Sequence, residues 1–152
     1  MARQDLQRKM TTEEKKAWLK RYCELGKELE PLFYERESWQ ALMTRTTRTY
    51  SVKTNGPADP HSWENIMARV IELDEQINAT IGYMLDTRAE INAAIERVQD
   101  DAQRTLLRLR YIEGKKWEDI ATLMNYDIAG HKVFLLHRKA LLSIEIDSAH
   151  TN

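Results

Sequence analysis

Between Asp101 and Leu142 the chain carries cations at spacings suited to nucleic acid. Arg108, Arg110, Lys115 and Lys116 precede a short apolar pattern, and Lys132, Arg138 and Lys139 follow it. Guanidinium and ammonium groups bind phosphate oxygens, and lysine and histidine can also hydrogen-bond base edges in a major groove. Residues 101–141 hold 8 Lys+Arg against 5 Asp+Glu, whereas residues 61–100 hold 3 against 8. The formal net charge of −1 therefore conceals a basic stretch behind an acidic one. So small a local surplus implies weak non-specific binding by a single copy, because affinity for the phosphate backbone grows with the number of cations delivered.

Other chemistries find little to work with. No glycine-rich phosphate loop follows a strand pattern, and neither His-Glu-x-x-His nor paired-cysteine metal spacing occurs. The histidines are His61, His131, His137 and His150. On a helix His131 and His137, six apart, point to different sides. Acidic pairs such as Asp100 with Asp101 and Glu118 with Asp119 stand where helices begin, and negative charge is favourable there. The sequence reads as a protein that is not an enzyme, with no cofactor and no metal. Its one cysteine, Cys23, cannot form an internal disulfide, which fits a reducing cytoplasm. No apolar run of about 18 residues is present, so no membrane partner is expected, and the opening MARQDLQRKM lacks the apolar core of a secretory signal.

Three short elements must position the cations. Leu106, Leu107, Leu109 and Ile112 form an apolar stripe that Gly114 ends, because glycine accepts a left-handed backbone at little cost. Trp117, Ile120, Ala121 and Met124 recur at helical spacing. Asn125, Tyr126 and Asp127 supply a turn, with Asp127 placed to cap a third helix from Ile128 to about Ile144 that turns Val133, Leu136, Ala140 and Leu141 inward. This is the plan of a helix-turn-helix, whose second helix enters the major groove. On that plan Ile128, Ala129, Gly130, His131 and Lys132 face base edges, and Arg108, Arg110, Lys115, Lys116, Arg138 and Lys139 contact phosphates.

Upstream, Thr12 is a cap signal for a helix whose Trp18, Tyr22, Leu25, Leu29 and Leu32 follow at gaps of 4, 3, 4 and 3, a heptad seam. Pro31 lacks the amide an unbroken helix uses, which predicts a kink or two helices meeting near Glu30. Residues 44–61 lose periodicity and contain Asn-Gly-Pro and Asp-Pro, which predicts a loop. Arg45, Arg48 and Lys53 make that loop basic, so it reads either as a solvated connection or, less simply, as a DNA-contacting arm. A second helix, capped by Ser62, carries Trp63, Ile66, Val70, Leu73, Ile77, Ile81 and Met84 and continues through Ile91 and Ile95 to Val98. Helix, loop and helix make an antiparallel hairpin, and the longer second seam leaves surface for another copy. The expected fold is all-α: a long coiled-coil-like hairpin over residues 1–98, a helix-turn-helix over 99–144, and a tail over 145–152.

The segment LRLRYIEGKKWEDIATLMNYDIAGHKVFLLHRKALLSI resembles region 4 of bacterial sigma-70-type factors and, more closely, phage transcriptional regulators of the ArpU and RinA type. Leu109 to Gly114, Trp117 to Ala121, Tyr126, Val133 to His137, Ala140 and Leu141 carry the match, about 40 residues in all. The resemblance implies a sequence-specific activator of a phage or prophage operon in the host cytoplasm, binding double-stranded DNA as a homodimer, with RNA polymerase as a further partner. Two positions depart from the pattern: Asp127 stands where Ser or Thr is usual, and Leu135 stands near a common arginine. Two other readings remain open. One is a phage terminase small subunit; the other is an interaction module that docks on RNA polymerase or another regulator with little affinity for DNA.

Overall fold

The computed structural model describes residues 8–49, 62–127, 129 and 131–147, and side chains for all of these except 46–49. The fold is all-helical: α1 (Thr12–Thr49), α2 (Trp63–Glu96), α3 (Asp101–Leu107) continued by a π-helical turn (Arg108–Ile112), α4 (Trp117–Leu123) and α5 (Lys132–Ser143). No described helix is long and apolar enough to cross a membrane.

Thr11, one residue before the expected Thr12, starts α1. Its hydroxyl accepts the Glu14 amide at 3.2 Å and its carbonyl accepts the Lys15 amide at 2.9 Å. Glu13 and Glu14 lie in the first turn, where the helix dipole favours them. The helix then runs through Pro31, so of the kink or the pair of helices expected near Glu30, the pair is excluded. Pro31 and Lys27 are both exposed, and water can serve the Lys27 carbonyl that proline leaves without an amide. At its far end α1 continues to Thr49, so residues 44–49 are helical and not the start of a loop. The run TRTTRT has no breaker, and extending a formed helix costs far less than starting one. The Thr44 hydroxyl donates back to the Gln40 carbonyl at 3.1 Å. The rest of the expected loop, residues 50–61 with Lys53, lies outside the described residues. Ser62 caps α2 as expected, accepting the Asn65 amide at 3.4 Å.

The chain packs as two units. In the unit formed by residues 24–85, α1 and α2 run antiparallel, and Leu29 of α1 and Ile66, Val70, Leu73 and Ile77 of α2 are buried. Ion pairs between Arg36 and Asp74 and between Glu35 and Arg69 pin the register, and Arg69 also meets Glu72 at 3.0 Å. The bond from Arg69 holds the Glu35 carboxyl below its ordinary range.

The other unit takes in residues up to Cys23 and from Asp86 onward. Trp18 and Leu19 of α1 and Ile91, Ala94 and Ile95 of α2 share one core with Leu106, Leu107, Tyr111, Ile120, Val133, Ala140, Leu141 and Ile144. The packing boundary therefore does not fall at residue 98, where periodicity alone places it. Asp100 caps α3 by accepting the Gln103 amide at 2.8 Å. Lys15 serves the far end of α5, its ammonium donating to the carbonyls of Leu141 at 3.0 Å and Ile144 at 2.6 Å. A cation at a helix C-terminus is favourable, although partial burial draws the Lys15 pKa down.

Candidate nucleic-acid interface

The π-helical turn places one extra residue in the run that follows α3, and Glu113 donates its amide to the Arg108 carbonyl at 3.0 Å. Gly114 then adopts φ 66°, and the Lys115 amide closes back on the Leu109 carbonyl at 2.9 Å. A side chain at Gly114 would be strained by backbone alone, since its nearest neighbour, the Cys23 sulfur, would stand at an ordinary 3.8 Å.

Arg110 locks this turn. Its guanidinium lies 4.6 Å from the centre of the Trp117 ring and donates to the Lys115 carbonyl at 2.9 Å. Trp117 meets the His137 ring edge-on at 4.7 Å and Phe134 at 5.4 Å. Behind them the Tyr111 oxygen stands 2.7 Å from His137 Nε2. Burial raises the Tyr111 pKa to about 12 and lowers that of His137 to about 4, with Lys16, Arg110 and Lys20 adding to the second shift. Tyrosine is therefore the donor, and neutral histidine accepts at Nε2 and carries its proton on Nδ1.

α4 closes at its C-cap Met124, and α5 opens after its N-cap His131. Asn125 at φ 58° ends α4, with the Tyr126 amide returned to the Ala121 carbonyl at 2.8 Å. That is the glycine-like stop described for helix C-termini, made here by asparagine. Asp127 does not cap α5. Its carboxylate accepts the Ala129 amide at 3.0 Å, forming a local turn, and His131 at φ 55° occupies the N-cap position without a side-chain bond. α5 is described from Lys132 to Ser143, against an expected helix from Ile128 to about Ile144, and Ile128 lies outside the described residues.

Of the five expected base readers, Lys132 opens α5, and Ala129 and His131 lie in the connection before it. All three are exposed, while Ile128 and Gly130 lie outside the described residues. Among the expected phosphate contacts, Lys116, Arg138 and Lys139 are exposed and Lys115 is half-buried. Arg110 is engaged on Trp117, and Arg108 pairs with Glu96 at 3.6 Å. Arg45 and Arg48 belong to α1, with Arg45 exposed and the Arg48 side chain outside the description.

Along α5 the spacing of Lys132, Leu135, Lys139 and Leu142 puts all four on one exposed side, with Arg138 on the opposite flank of the leucines. Leu135 is 59% and Leu142 65% exposed, so apolar groups occupy the middle of the face and cations its margins. Sequence reading placed Val133, Leu136, Ala140 and Leu141 inward but missed His137 as a buried member of the same stripe. Its position four after Val133 and three before Ala140 was the available signal.

The fold and the face together define a class: a small helical unit presenting one solvent-facing helix with a cationic margin. Comparison takes the assignment no further, for no family model, curated protein or solved structure matches the chain.

Proposed function

We propose that the chain is a sequence-specific DNA-binding transcriptional regulator, an activator of a phage or prophage operon. It acts as a homodimer in the bacterial cytoplasm, with no catalytic role. One observation carries this reading: Lys132, Arg138 and Lys139 stand exposed along α5, and none of them forms a salt bridge among the described residues. Arginines elsewhere, at 21, 36, 69, 97, 104 and 108, are each paired with a carboxylate. Unpaired cations on one helix face are free to replace the counterions of a duplex.

Fragments of the source genome selected by the full chain at physiological salt supply the probe. His131→Ala with Lys132→Ala should abolish discrimination between selected and unselected fragments in a gel shift. Arg138→Ala with Lys139→Ala should leave discrimination intact and lower the slope of log affinity against log salt by roughly 2, about 0.9 per phosphate contact. Helicity should be unchanged in both. Full discrimination by the first variant would sink the assignment of α5 as the reading helix.

Leu135 and Leu142 favour a second reading, in which the same face docks on RNA polymerase or another regulator. Apolar groups at the centre with charge at the rim is the pattern of a protein interface. Binding that does not weaken between 50 and 200 mM salt, in the range where phosphate contacts lose affinity steeply, would select it.

A further inference from the structure

The buried seam of α2 has a neighbour. Met67, Ile71, Asp74, Asn78, Ile81 and Leu85 follow at gaps of 4, 3, 4, 3 and 4, a second heptad line lying within the hairpin unit. Its four apolar members stay in solvent: Met67 is 39% exposed, Ile71 48%, Ile81 36% and Leu85 62%. The line reads the same from either end: two apolar residues, two polar, two apolar. Laid antiparallel on a copy of itself, it sets Met67 against Leu85, Ile71 against Ile81, and Asp74 against Asn78, each pair occurring twice about a two-fold axis. That is the self-complementarity an isologous interface requires.

Charge at the centre fits the same partner. Asp74 is already ion-paired with Arg36 of its own chain, so two copies do not bring bare carboxylates together. The Asn78 amide is exposed and can donate to the Asp74 carboxylate of the other copy. A polar layer at the middle of an apolar seam fixes register, because sliding by one heptad buries Asp74 or Asn78 against isoleucine or leucine. Beside the line, Gly82 lets a second backbone approach, and a Cβ added there would meet nothing within 4 Å.

We infer that a second copy of this chain docks on the 67–85 line of α2, antiparallel and two-fold symmetric, forming a four-helix bundle from two hairpins. The line is about 27 Å long at 1.5 Å per residue, enough for five turns of continuous seam. The inference takes from the proposed function only that the chain acts as a dimer, and its test involves no DNA. A failed cross-link leaves the DNA reading standing, and a failed gel shift leaves the interface standing.

In a Cys23→Ser background, Ile71→Cys and Ile81→Cys chains are prepared separately, then mixed reduced and oxidised. A disulfide-linked dimer is expected in the mixture and only traces in either chain alone. Equal cross-linking in each chain alone would mean a parallel or unspecific contact and overturn the proposal, as would no cross-linking in any sample. Light scattering should give the unaltered chain twice its monomer mass. Ile71→Glu with Ile81→Glu should weaken that association on the order of a hundredfold at unchanged helicity. A monomeric unaltered chain at micromolar concentration would also overturn it.

Discussion

Residues 99–152, expressed alone, will be largely unfolded at 25 °C, giving a random-coil circular dichroism spectrum without a cooperative melt. The fragment contains α3, α4 and α5 but only part of their core. Leu19, Ile91 and Ile95 are fully buried in the complete chain, and Trp18 and Ala94 nearly so. Each large apolar side chain removed takes away roughly 1.5–3 kcal/mol of burial, against a net stability of about 5–15 kcal/mol for an ordinary domain. The fragment also loses the Lys15 ammonium that serves the carbonyls of Leu141 and Ile144. In the full chain Leu19→Ala alone should cost about 2–5 kcal/mol, read from the midpoint of urea unfolding. A fragment with helicity proportional to its length and a sharp melt would refute the shared core.

Acid should weaken the same unit well above the range where carboxylates titrate. His137 has a folded pKa near 4 against an ordinary 6.5, so between those values the unfolded chain takes up a proton that the folded chain refuses. Stability conferred by the neutral ring is complete above pH 6.5 and is lost as pH falls toward 4, reaching roughly 2–3 kcal/mol at the lower end. Burial is the main cause, and Lys16, Arg110 and Lys20 oppose a further positive charge. Protonation would also turn Nε2 from acceptor to donor and deprive the Tyr111 hydroxyl proton of its acceptor. Urea unfolding from pH 6.5 to 5 should show a falling midpoint that His137→Gln flattens. Identical slopes in the two proteins would show that His137 is not the group responsible.

Periodicity made the helical seams legible in the sequence. Trp18, Leu29, Ile66, Val70, Leu73, Ile77, Ile91, Ile95 and Val98 were read as inward and are buried, whereas Ile81, read into the same seam, is 36% exposed. Packing of one helix end against elements distant in sequence was not legible, because a seam reports that a residue is buried and not against what. Trp18 and Ile95 lie on the seams read along α1 and α2, yet they belong to the core of α3–α5. Local backbone signals misled in two ways. Pro31 was given breaking power that the long helix overrides, and the TRTTRT run, read as loop for want of periodicity, extends it. Asn125 and His131 take left-handed conformations that a lone sequence does not announce, the first ending α4 and the second at the N-cap of α5. The cations of the candidate face were plain from the sequence; that Arg110 would be spent on Trp117 required the fold.

Pro31 sets where α1 yields first. Proline contributes no amide, so the turn between Lys27 and Pro31 closes without its backbone bond, and Gly26 just upstream adds about 1 kcal/mol of helix-propensity cost. The neighbouring amides are held by fewer consecutive bonds than those at either end of the seam. In deuterium exchange, amides 28–35 should therefore exchange through local opening, at rates well above those of Leu19 or Leu73, which await unfolding of their whole unit. One continuous helix is in this sense two protected stretches joined by a leaky one.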